Sequence, residues 1–347
     1  MINFSKHQVK DMPIFIWLFA LTTLTFFLIS IGGITRLTES GLSMVDWRPV
    51  LGILPPLKNS EWIKVFEAYK NSPEFIYINQ SINLIDFKYI FWWEWFHRFL
   101  ARFIGLIFII PLIFFVIKKK ISKKLFFNLL ILFIFGLFQA LVGWWMVKSG
   151  LNQNPYVSAY RLAFHLGNAI IILSILFWLT LNAWRSININ YLPSNKSEII
   201  IFFLIALLFV TMISGAFMAG THAGQSFNTY PLMDGVLIPN DYFQNEYGLK
   251  NIFENTVAIN FNHRWLATFT FILIITFTIY IYNSKKFKKN NFEIMLIFIF
   301  SCLQFLLGLL TLLTNVELIL ASLHQMNSMF LLISILLLYH TIKMKEQ

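Results

Sequence analysis

Eight long apolar segments dominate the sequence and restrict the folds open to the chain. They cover about residues 13–34, 89–117, 125–147, 157–184, 198–219, 256–283, 291–313 and 317–342. A helix needs about 20 mostly apolar residues to cross a bilayer, and lipid offers no partner for unpaired backbone groups. Only 12% of the residues are charged, against roughly 25% in a soluble domain. We therefore predict an all-α integral membrane protein with eight transmembrane helices.

Positive charge is concentrated in short segments between the apolar runs. An even number of spans puts both termini on one face, whose short segments carry Lys6, Lys10, Lys118, Lys119, Lys120, Lys123, Lys124, Arg185, Lys196, Lys285, Lys286, Lys288, Lys289, Lys343 and Lys345. Basic residues in short loops mark the cytoplasmic side. We therefore predict cytoplasmic termini and two long outer loops, about 35–88 and 220–255. No nucleic-acid partner is expected, because no basic face or recognition motif accompanies the net charge of +11.

The N-terminal segment, Met1–Met12, is too short and polar for a cleaved signal or a transit peptide. We therefore expect the first span to be retained in a bacterial membrane protein. The spanning helices are expected to be surrounded by the lipid bilayer.

The chain also repeats itself in four pairs of short motifs that occur in the same order. The pairs are Gly32 with Gly215, Glu94-Trp-Phe-His97-Arg98 with Asn260-Phe-Asn-His263-Arg264, Gln139-x3-Gly143 with Gln304-x3-Gly308, and His165-x2-Asn168 with His324-x2-Asn327. The repeat predicts two pseudo-symmetric four-helix bundles, residues 1–190 and 191–347. Parallel repeats of this kind are related by an axis along the membrane normal.

Four of the seven histidines share one kind of position, seven or eight residues into a span that enters from the outer face. They are His97, His165, His263 and His324. At about 1.5 Å per residue they lie roughly 10–12 Å below that surface, where an ionisable group indicates a functional site. Imidazole binds iron, copper and zinc, and helix bundles build cofactor sites from facing side chains. The single Cys302 excludes a cysteine-rich site, so we predict a haem held by two histidines in each half.

The two halves differ beside these histidines. Glu94 stands one helical turn before His97, whereas its counterpart Asn260 is uncharged. A carboxylate beside one haem only predicts proton-coupled chemistry there and electron transfer in the other half. Glu94 is therefore the candidate acid–base or substrate-positioning group. The alternative is a glutamate at the outer surface that pairs with Arg98 or Arg102.

Arg98 and Arg264 directly follow a candidate ligand histidine. The guanidinium fork suits the carboxylates of haem propionates. Snorkelling towards the interface explains both arginines equally well, so the sequence leaves both interpretations open.

Several motifs resemble those of the haem A synthase family across nearly the whole chain. They are Thr35-Arg-Leu-Thr-Glu-Ser-Gly-Leu-Ser-Met44, Trp47-x-Pro49, Pro55-Pro56, Pro73-Glu-Phe75, Glu94-x-x-His97-Arg98, Phe227-Asn-Thr-Tyr-Pro231, Asn262-His-Arg-Trp-Leu-Ala-Thr268 and Leu323-His-Gln325. The pattern looks most like the longer form of the family found in proteobacteria and mitochondria. The shorter form has a cysteine pair in an outer loop, which this chain lacks.

The resemblance implies a function and roles for the histidines. It implies that haem O is converted to haem A, when two successive hydroxylations turn the C8 methyl group into a formyl group. His263 and His324 would ligate a retained haem b, and His97 and His165 would hold the substrate haem with Glu94 beside it. The expected location is the bacterial inner membrane. Haem O synthase, a farnesyltransferase, and a membrane electron acceptor are the expected partners, and a homo-oligomer is left open.

Two other functions are compatible with these histidines. A di-haem b-type electron carrier without haem chemistry would show the same pairs, and a transporter could use them structurally. One residue departs from the family pattern, His222 in Ala219-Gly-Thr-His-Ala-Gly224, and we interpret it as an ordinary loop residue. His7 and His340 lie near the predicted cytoplasmic ends and are given no role.

Overall fold

The computed structural model describes residues 12–46, 54–152, 154–187, 193 and 195–345. The sequence motif at Trp47 and Pro49, the histidine His7, the basic residues Lys6 and Lys10, and the predicted boundary between residues 190 and 191 lie outside the described residues. The division into two domains therefore stays a prediction.

Helices account for most of the described residues. In chain order they are α1 (Met12–Leu37), α2 (Asn59–Lys70), α3 (Pro73–Tyr77), α4 (Leu84–Ile117), α5 (Lys123–Gly150), α6 (Ala159–Arg185), α7 (Lys196–Gly220), α8 (Asn251–Glu254), α9 (Thr256–Asn283), α10 (Asn291–Leu313) and α11 (Leu318–Lys345). Among the described residues, all but the short α2, α3 and α8 are long and apolar enough to cross a membrane. The prediction of an all-α protein with eight spans is confirmed.

Local capping explains the largest difference from the predicted bounds, which is the start of α4. This helix begins at Leu84, five residues before the predicted start at 89. The Asn83 side chain accepts hydrogen bonds from the backbone N–H groups of Ile85 and Asp86, and the Asp86 side chain accepts from the Asn83 N–H. This capping box satisfies N–H groups that have no partner within the helix. His97 therefore lies about four turns into its helix.

The spanning helices pack so that three of them form the centre. α1 packs against α4 and α6, α6 packs against α7, and α11 packs against α7, α10 and α1. Consequently α1, α6 and α11 are the most buried spans, whereas α4 and α5 expose most of their surface. Hydroxyl pairs also link neighbouring helices, as between Thr22 of α1 and Thr180 of α6 at 2.9 Å. Small polar contacts of this kind are typical of helix packing in membranes.

A buried polar cluster joins the helices at the end of the bundle where α1 begins and α11 ends. Glu198 of α7 pairs with Lys343 of α11 at 2.8 Å, and both side chains are buried. His340 of α11 is fully buried, with Nδ1 2.9 Å from an Arg185 guanidinium nitrogen and Nε2 3.0 Å from Asn182 Oδ1. Sequence analysis gave His340 no role, but the structure shows that it links α11 to α6.

The first long loop folds over the opposite end of the bundle, which we call the long-loop end. α2 and α3 lie within this loop. Trp62, Phe66 and Tyr69 of α2 are buried against Phe87 and Phe91 of α4. The loop therefore has an apolar core of its own, close to the start of the helix that carries His97.

Candidate active site

The four predicted histidines lie on separate spanning helices, and all four residues are half-buried. The His97 and His165 imidazoles lie close enough to interact electrostatically, and so do those of His263 and His324. α4 and α6 therefore contribute one histidine pair, and α9 and α11 contribute the other. The half-buried residues keep surface that a ligand can contact.

Each imidazole rests against a glycine of a neighbouring helix. The distances from histidine Cε1 to the position that a glycine Cβ would take are 2.9 Å for His97 at Gly32, 2.9 Å for His165 at Gly143, 3.4 Å for His263 at Gly215 and 2.8 Å for His324 at Gly308. Three of these distances leave no room for a methyl group in a close-packed interior. The glycines of the sequence repeat therefore make room for the histidine rings.

A glutamine and an asparagine orient His165. Gln139 of α5 places Nε2 3.3 Å from Nε2 of His165, and it also donates to the His165 carbonyl oxygen at 3.1 Å. Asn168 donates to Gln139 Oε1 at 2.7 Å and to the Phe135 carbonyl oxygen at 3.2 Å. The glutamine is thereby held in one orientation beside the imidazole.

The second histidine pair contains the same arrangement. Gln304 of α10 places Nε2 3.2 Å from Nδ1 of His324. Asn327 donates to Gln304 Oε1 at 2.8 Å and to the Phe300 carbonyl oxygen at 2.9 Å. The sequence repeat matched these glutamines and asparagines, but it did not show that they bind the histidines.

Ser214 fixes the tautomer of His263. Its hydroxyl donates to the Thr211 carbonyl oxygen at 2.7 Å, and its Oγ lies 2.7 Å from Nδ1 of His263. When the hydroxyl donates to Thr211, Ser214 accepts a hydrogen bond from Nδ1–H of His263. The lone pair on Nε2 is then the one available to a metal, and metal-binding histidines are commonly held in this way.

His97 lacks this contact, although it occupies the equivalent position in the first half. The repeat places Ile31 where the second half has Ser214. The His97 ring faces the backbone carbonyl of Leu28, and among the described residues its Nδ1 makes no hydrogen bond of ordinary geometry. The two histidine pairs thus have equivalent glycines. They differ in how firmly the imidazole is held, since His263 contacts a serine and His97 does not.

Glu94 is buried and fully engaged, with only 2% of its surface exposed. Its Oε2 accepts hydrogen bonds from Ser43 Oγ and from the Met44 backbone N–H, both at 2.7 Å, and its Oε1 pairs with Arg98. The carboxylate therefore fastens the start of the first long loop to α4, one turn from His97. It lies inside the protein and pairs with Arg98, one of the two partners considered for it.

Asn260 performs a similar attachment in the second half without a charge. It is fully buried, and its amide donates to the Ala223 carbonyl oxygen at 2.7 Å. Arg264 donates to the Thr229 carbonyl oxygen and lies 3.5 Å from Asn260 Oδ1. Arg98 likewise donates to the Met44 carbonyl oxygen at 3.4 Å, so both arginines predicted to contact propionates are bound to loop residues, and their role towards propionates stays a prediction.

His222 joins the loops of the two halves. Its Nε2 lies 2.9 Å from an Arg36 guanidinium nitrogen, and its Nδ1 lies 3.5 Å from Glu39 Oε1. Burial, reinforced by the Arg36 charge, lowers the pKa of the His222 imidazole. Sequence analysis treated His222 as an ordinary loop residue, because no neighbouring residue in the chain indicates this contact.

Glu74 is a second buried carboxyl at the long-loop end. Burial raises the pKa of the Glu74 carboxyl to about 8, and the nearby Glu94 and Glu39 charges act in the same direction. The Tyr69 hydroxyl donates to Glu74 Oε2 at 3.0 Å. The pKa of Tyr69 is raised in turn by burial and by Glu74. The family-like motif Pro73-Glu-Phe75 contains this residue, but its sequence gives no sign of burial.

The surroundings of His263 suit an iron ligand, because Ser214 occupies its Nδ1. Neutral imidazole is an iron ligand, and Ser214 leaves Nε2 of His263 with its lone pair free. Nδ1 of His97 and Nδ1 of His165 are buried without a partner among the described residues. His263 and His324 would hold a haem in the second half, and His97 and His165 would hold one in the first.

Comparison with known proteins identifies the family. A sequence model described as cytochrome oxidase assembly protein matches residues 15–336. The heme A synthase of Nitrosospira multiformis is 40% identical over 336 residues, which cover 95% of this chain and 94% of that protein. The heme A synthase of Nitrosomonas eutropha is 39% identical over 332 residues, which cover 94% and 92%. The chain belongs to the haem A synthase family.

A haem A synthase from Wolbachia pipientis is also similar, at 39% identity over 324 residues. The match to the haem A synthase family includes all four histidines, Glu94 and both long loops. The recognition made from short motifs is therefore confirmed for the chain as a whole.

Proposed function

We propose that this protein converts haem O to haem A for cytochrome oxidase biogenesis. Two successive hydroxylations each replace a C–H bond of the C8 methyl group by C–OH, and the resulting gem-diol loses water to give the formyl group. In all, the change from methyl to formyl takes its oxygen atom from water and releases four protons and four electrons, and the electrons pass to an acceptor in the membrane. The protein is thus an oxidoreductase acting on a methyl group of its substrate.

The observation that carries the proposal is the difference between two otherwise matched histidine pairs. In both halves a glycine and a glutamine support a histidine ring. Among the described residues, only the second half has a serine at Nδ1 of its first histidine, and only the first half has a buried carboxylate one turn from its first histidine. A permanently bound haem b suits the fixed pair, and a substrate that must enter and leave suits the other pair.

We therefore assign His263 and His324 as axial ligands of haem b, and His97 and His165 as ligands of the substrate haem iron. When bound, haem b supplies one-electron transfer. Glu94 takes part in proton transfer beside the substrate, while Arg98 and Ser43 orient its carboxylate. We also assign the guanidinium groups of Arg98 and Arg264 as contacts of the haem propionates.

The same assignment leads to a proposed location, orientation and set of partners. The chain lies in the bacterial inner membrane with both termini in the cytoplasm, and the histidine pairs lie nearer the outer leaflet. Haem O synthase supplies the substrate, and the product passes to oxidase assembly. A homo-oligomer is compatible with this arrangement but is not required by it.

Extraction of haems from purified protein tests the proposal. The protein is produced in cells that make haem O, and the bound and membrane haems are separated by chromatography and identified by mass spectrometry. We expect haem b together with haem O, its hydroxylated intermediate or haem A. A wild-type protein that binds haem b in both halves and forms no haem A would indicate a di-haem electron carrier instead.

Histidine variants test the assignment of the halves. We expect His263→Ala to lose haem b, whereas His97→Ala should lose haem A formation and keep most of the haem b. The reverse result would exchange the roles of the two histidine pairs.

A further inference from the structure

An aromatic stack closes the seam between α9 and α10 beside the second histidine pair. Phe271 of α9 stacks on Phe305 of α10, with ring centroids 4.6 Å apart and an angle of 19° between the planes. Tyr230 packs edge-on against Phe305 at 6.1 Å. Phe271 lies about two turns beyond His263, and Phe305 adjoins Gln304. The stack therefore fills the seam between α9 and α10 near the second histidine pair.

The sequence repeat places small residues at the same two positions in the first half. The register that aligns His97 with His263 puts Gly105 at the position of Phe271, and the register that aligns Gln139 with Gln304 puts Ala140 at that of Phe305. Among the described residues, no heavy atom lies within 4 Å of the place where a Cβ of Gly105 would be.

A second pair of positions, one turn away on the same helices, follows the same pattern. Gly136 of α5 is exposed and also has open space at its Cβ position. Its counterpart in α10, Ser301, is buried with 1% of its surface exposed. Among the described residues, small side chains in the first half thus stand where larger or buried ones stand in the second half.

The helix packing agrees with this difference in side chains. α9 and α10 pack along each other, whereas α4 and α5 approach each other only at isolated points. The α4–α5 seam closes nearer the end of the bundle where α1 begins, where Phe108 stacks with Phe133 at 6.1 Å. Between this stack and the first histidine pair, no aromatic contact between described residues bridges α4 and α5, and we call this part of the seam the gap.

We propose that this gap admits the prenyl chain of the substrate haem laterally from the bilayer and holds it between α4 and α5. The inference rests on the proposed assignment of the substrate to the first half. Haem O differs from haem b by a long apolar isoprenoid chain, which a macrocycle held by His97 and His165 must direct into an apolar space. On the described part of the seam, small side chains at Gly105 and Ala140 leave such a space.

The same comparison explains how two similar halves accept different haems. A prenyl chain leaving the second half at the equivalent place meets the rings of Phe271 and Phe305, which fill it. The second half therefore accepts a haem without the chain, and the first accepts the haem that carries it. Selection rests on steric exclusion, which is effective because a close-packed seam cannot take up extra bulk.

The test rebuilds the aromatic seal in the first half with a Gly105→Phe/Ala140→Phe double variant. The matched control is a Leu106→Phe/Leu141→Phe double variant at the next residue of each helix, where the wild-type side chains are 56% and 61% exposed. Purified proteins in lipid nanodiscs are titrated with haem O and, separately, with haem b. Conversion of haem O and the amount of haem b retained in the second half are measured on the same samples.

We expect the double variant to bind haem O about tenfold more weakly or worse, while haem b titration of the first half and retained haem b change little. The control should match wild type. If retained haem b is lost, folding has failed, and Ala140→Phe alone replaces the double variant. Wild-type affinity for haem O in a variant that keeps its haem b would overturn the proposal. A wild-type protein that binds haem O tightly without converting it would instead contradict the proposed function alone.

Discussion

Nδ1 of His263 lies 2.7 Å from the Oγ of Ser214, whose hydroxyl proton is directed to the Thr211 carbonyl oxygen. This contact distinguishes the two histidine pairs more clearly than any property of the histidines themselves. It fixes the ring of a proposed haem b ligand, whereas the equivalent His97 faces a backbone carbonyl directly.

Removing the Ser214 hydroxyl tests its role as a positioning residue. We expect Ser214→Ala to weaken haem b binding by about 10- to 100-fold, the usual cost of losing a hydrogen bond to a metal-binding histidine. The midpoint potential of haem b should shift as well, as measured by spectroelectrochemical titration. Ser214→Thr keeps a hydroxyl and should restore both properties. An unchanged potential in Ser214→Ala would contradict the assigned role.

The glycine contacts predict opposite effects at two positions of one helix. In Gly143→Ala the new Cβ would lie 2.9 Å from Cε1 of His165, so the imidazole must move and haem A formation should fall. Gly136→Ala, two turns earlier in α5, meets open space and should be neutral or stabilising by up to about 1 kcal/mol. Haem A yield and thermal stability of the two variants provide the comparison. Equal activity in both would show that the His165 ring needs no such room.

The buried carboxylate of Glu94 is tested by a change that preserves its shape. Glu94→Gln can still accept hydrogen bonds from Ser43 and Met44, but it loses the charge that pairs with Arg98. If Glu94 transfers protons, haem A formation should fall by about 10²-fold or more while haem b remains bound. Glu67→Gln, at an exposed carboxylate of α2, is the control. Haem A at the wild-type level in membranes expressing Glu94→Gln would rule out the proton-transfer role.

Glu74 predicts that the first long loop loses stability as the pH rises. In the folded protein the pKa of the Glu74 carboxyl is raised to about 8. In the unfolded loop the same carboxyl has a pKa of about 4.3. Between these two pH values the folded loop therefore holds a proton that the unfolded loop has released. The contribution of Glu74 to the stability of the loop is fully present below the unfolded pKa. It falls by about 1.4 kcal/mol per pH unit between the unfolded pKa and the folded pKa. Glu74→Gln cannot ionise and should lack this dependence.

Limited proteolysis of the segment between α2 and α4 measures the effect. The ratio of wild-type to variant cleavage rates should increase from pH 6 to pH 9, and the use of a ratio removes the pH dependence of the protease. A ratio that stays constant over this range would show that the Glu74 carboxyl is not protonated in the folded loop.

The apolar runs were sufficient to predict the fold class, because lipid allows few solutions other than helices of spanning length. The bounds of α9 and α10 agree with the sequence pattern at both ends. The start of α4 was placed five residues late because the capping box at Asn83 extends the helix through a polar stretch. The short helices α2 and α3 were missed for a similar reason, since their apolar residues serve a local core within the loop.

The four histidines and their pairing could also be predicted from the sequence, because the repeat aligns them and ionisable residues are unusual at that depth in a membrane. The hydrogen-bond partners of these histidines could not be predicted. The repeat matched Gln139 with Gln304 but gave them no role, and it did not single out Ser214. The reason is that hydrogen bonds between helices join residues far apart in the chain.

The sequence by itself thus determined the number of spans, the family and the candidate ligands, all of which depend on the kind of residue and its spacing. Only the tertiary structure decided that Glu94 is engaged by Arg98, Ser43 and Met44, that His222 joins the two long loops, and that Phe271 and Phe305 seal one half while Gly105 and Ala140 leave the other open. These differences arise from side-chain volume and contact across helices, and the spacing of residues along one chain does not encode which helices meet.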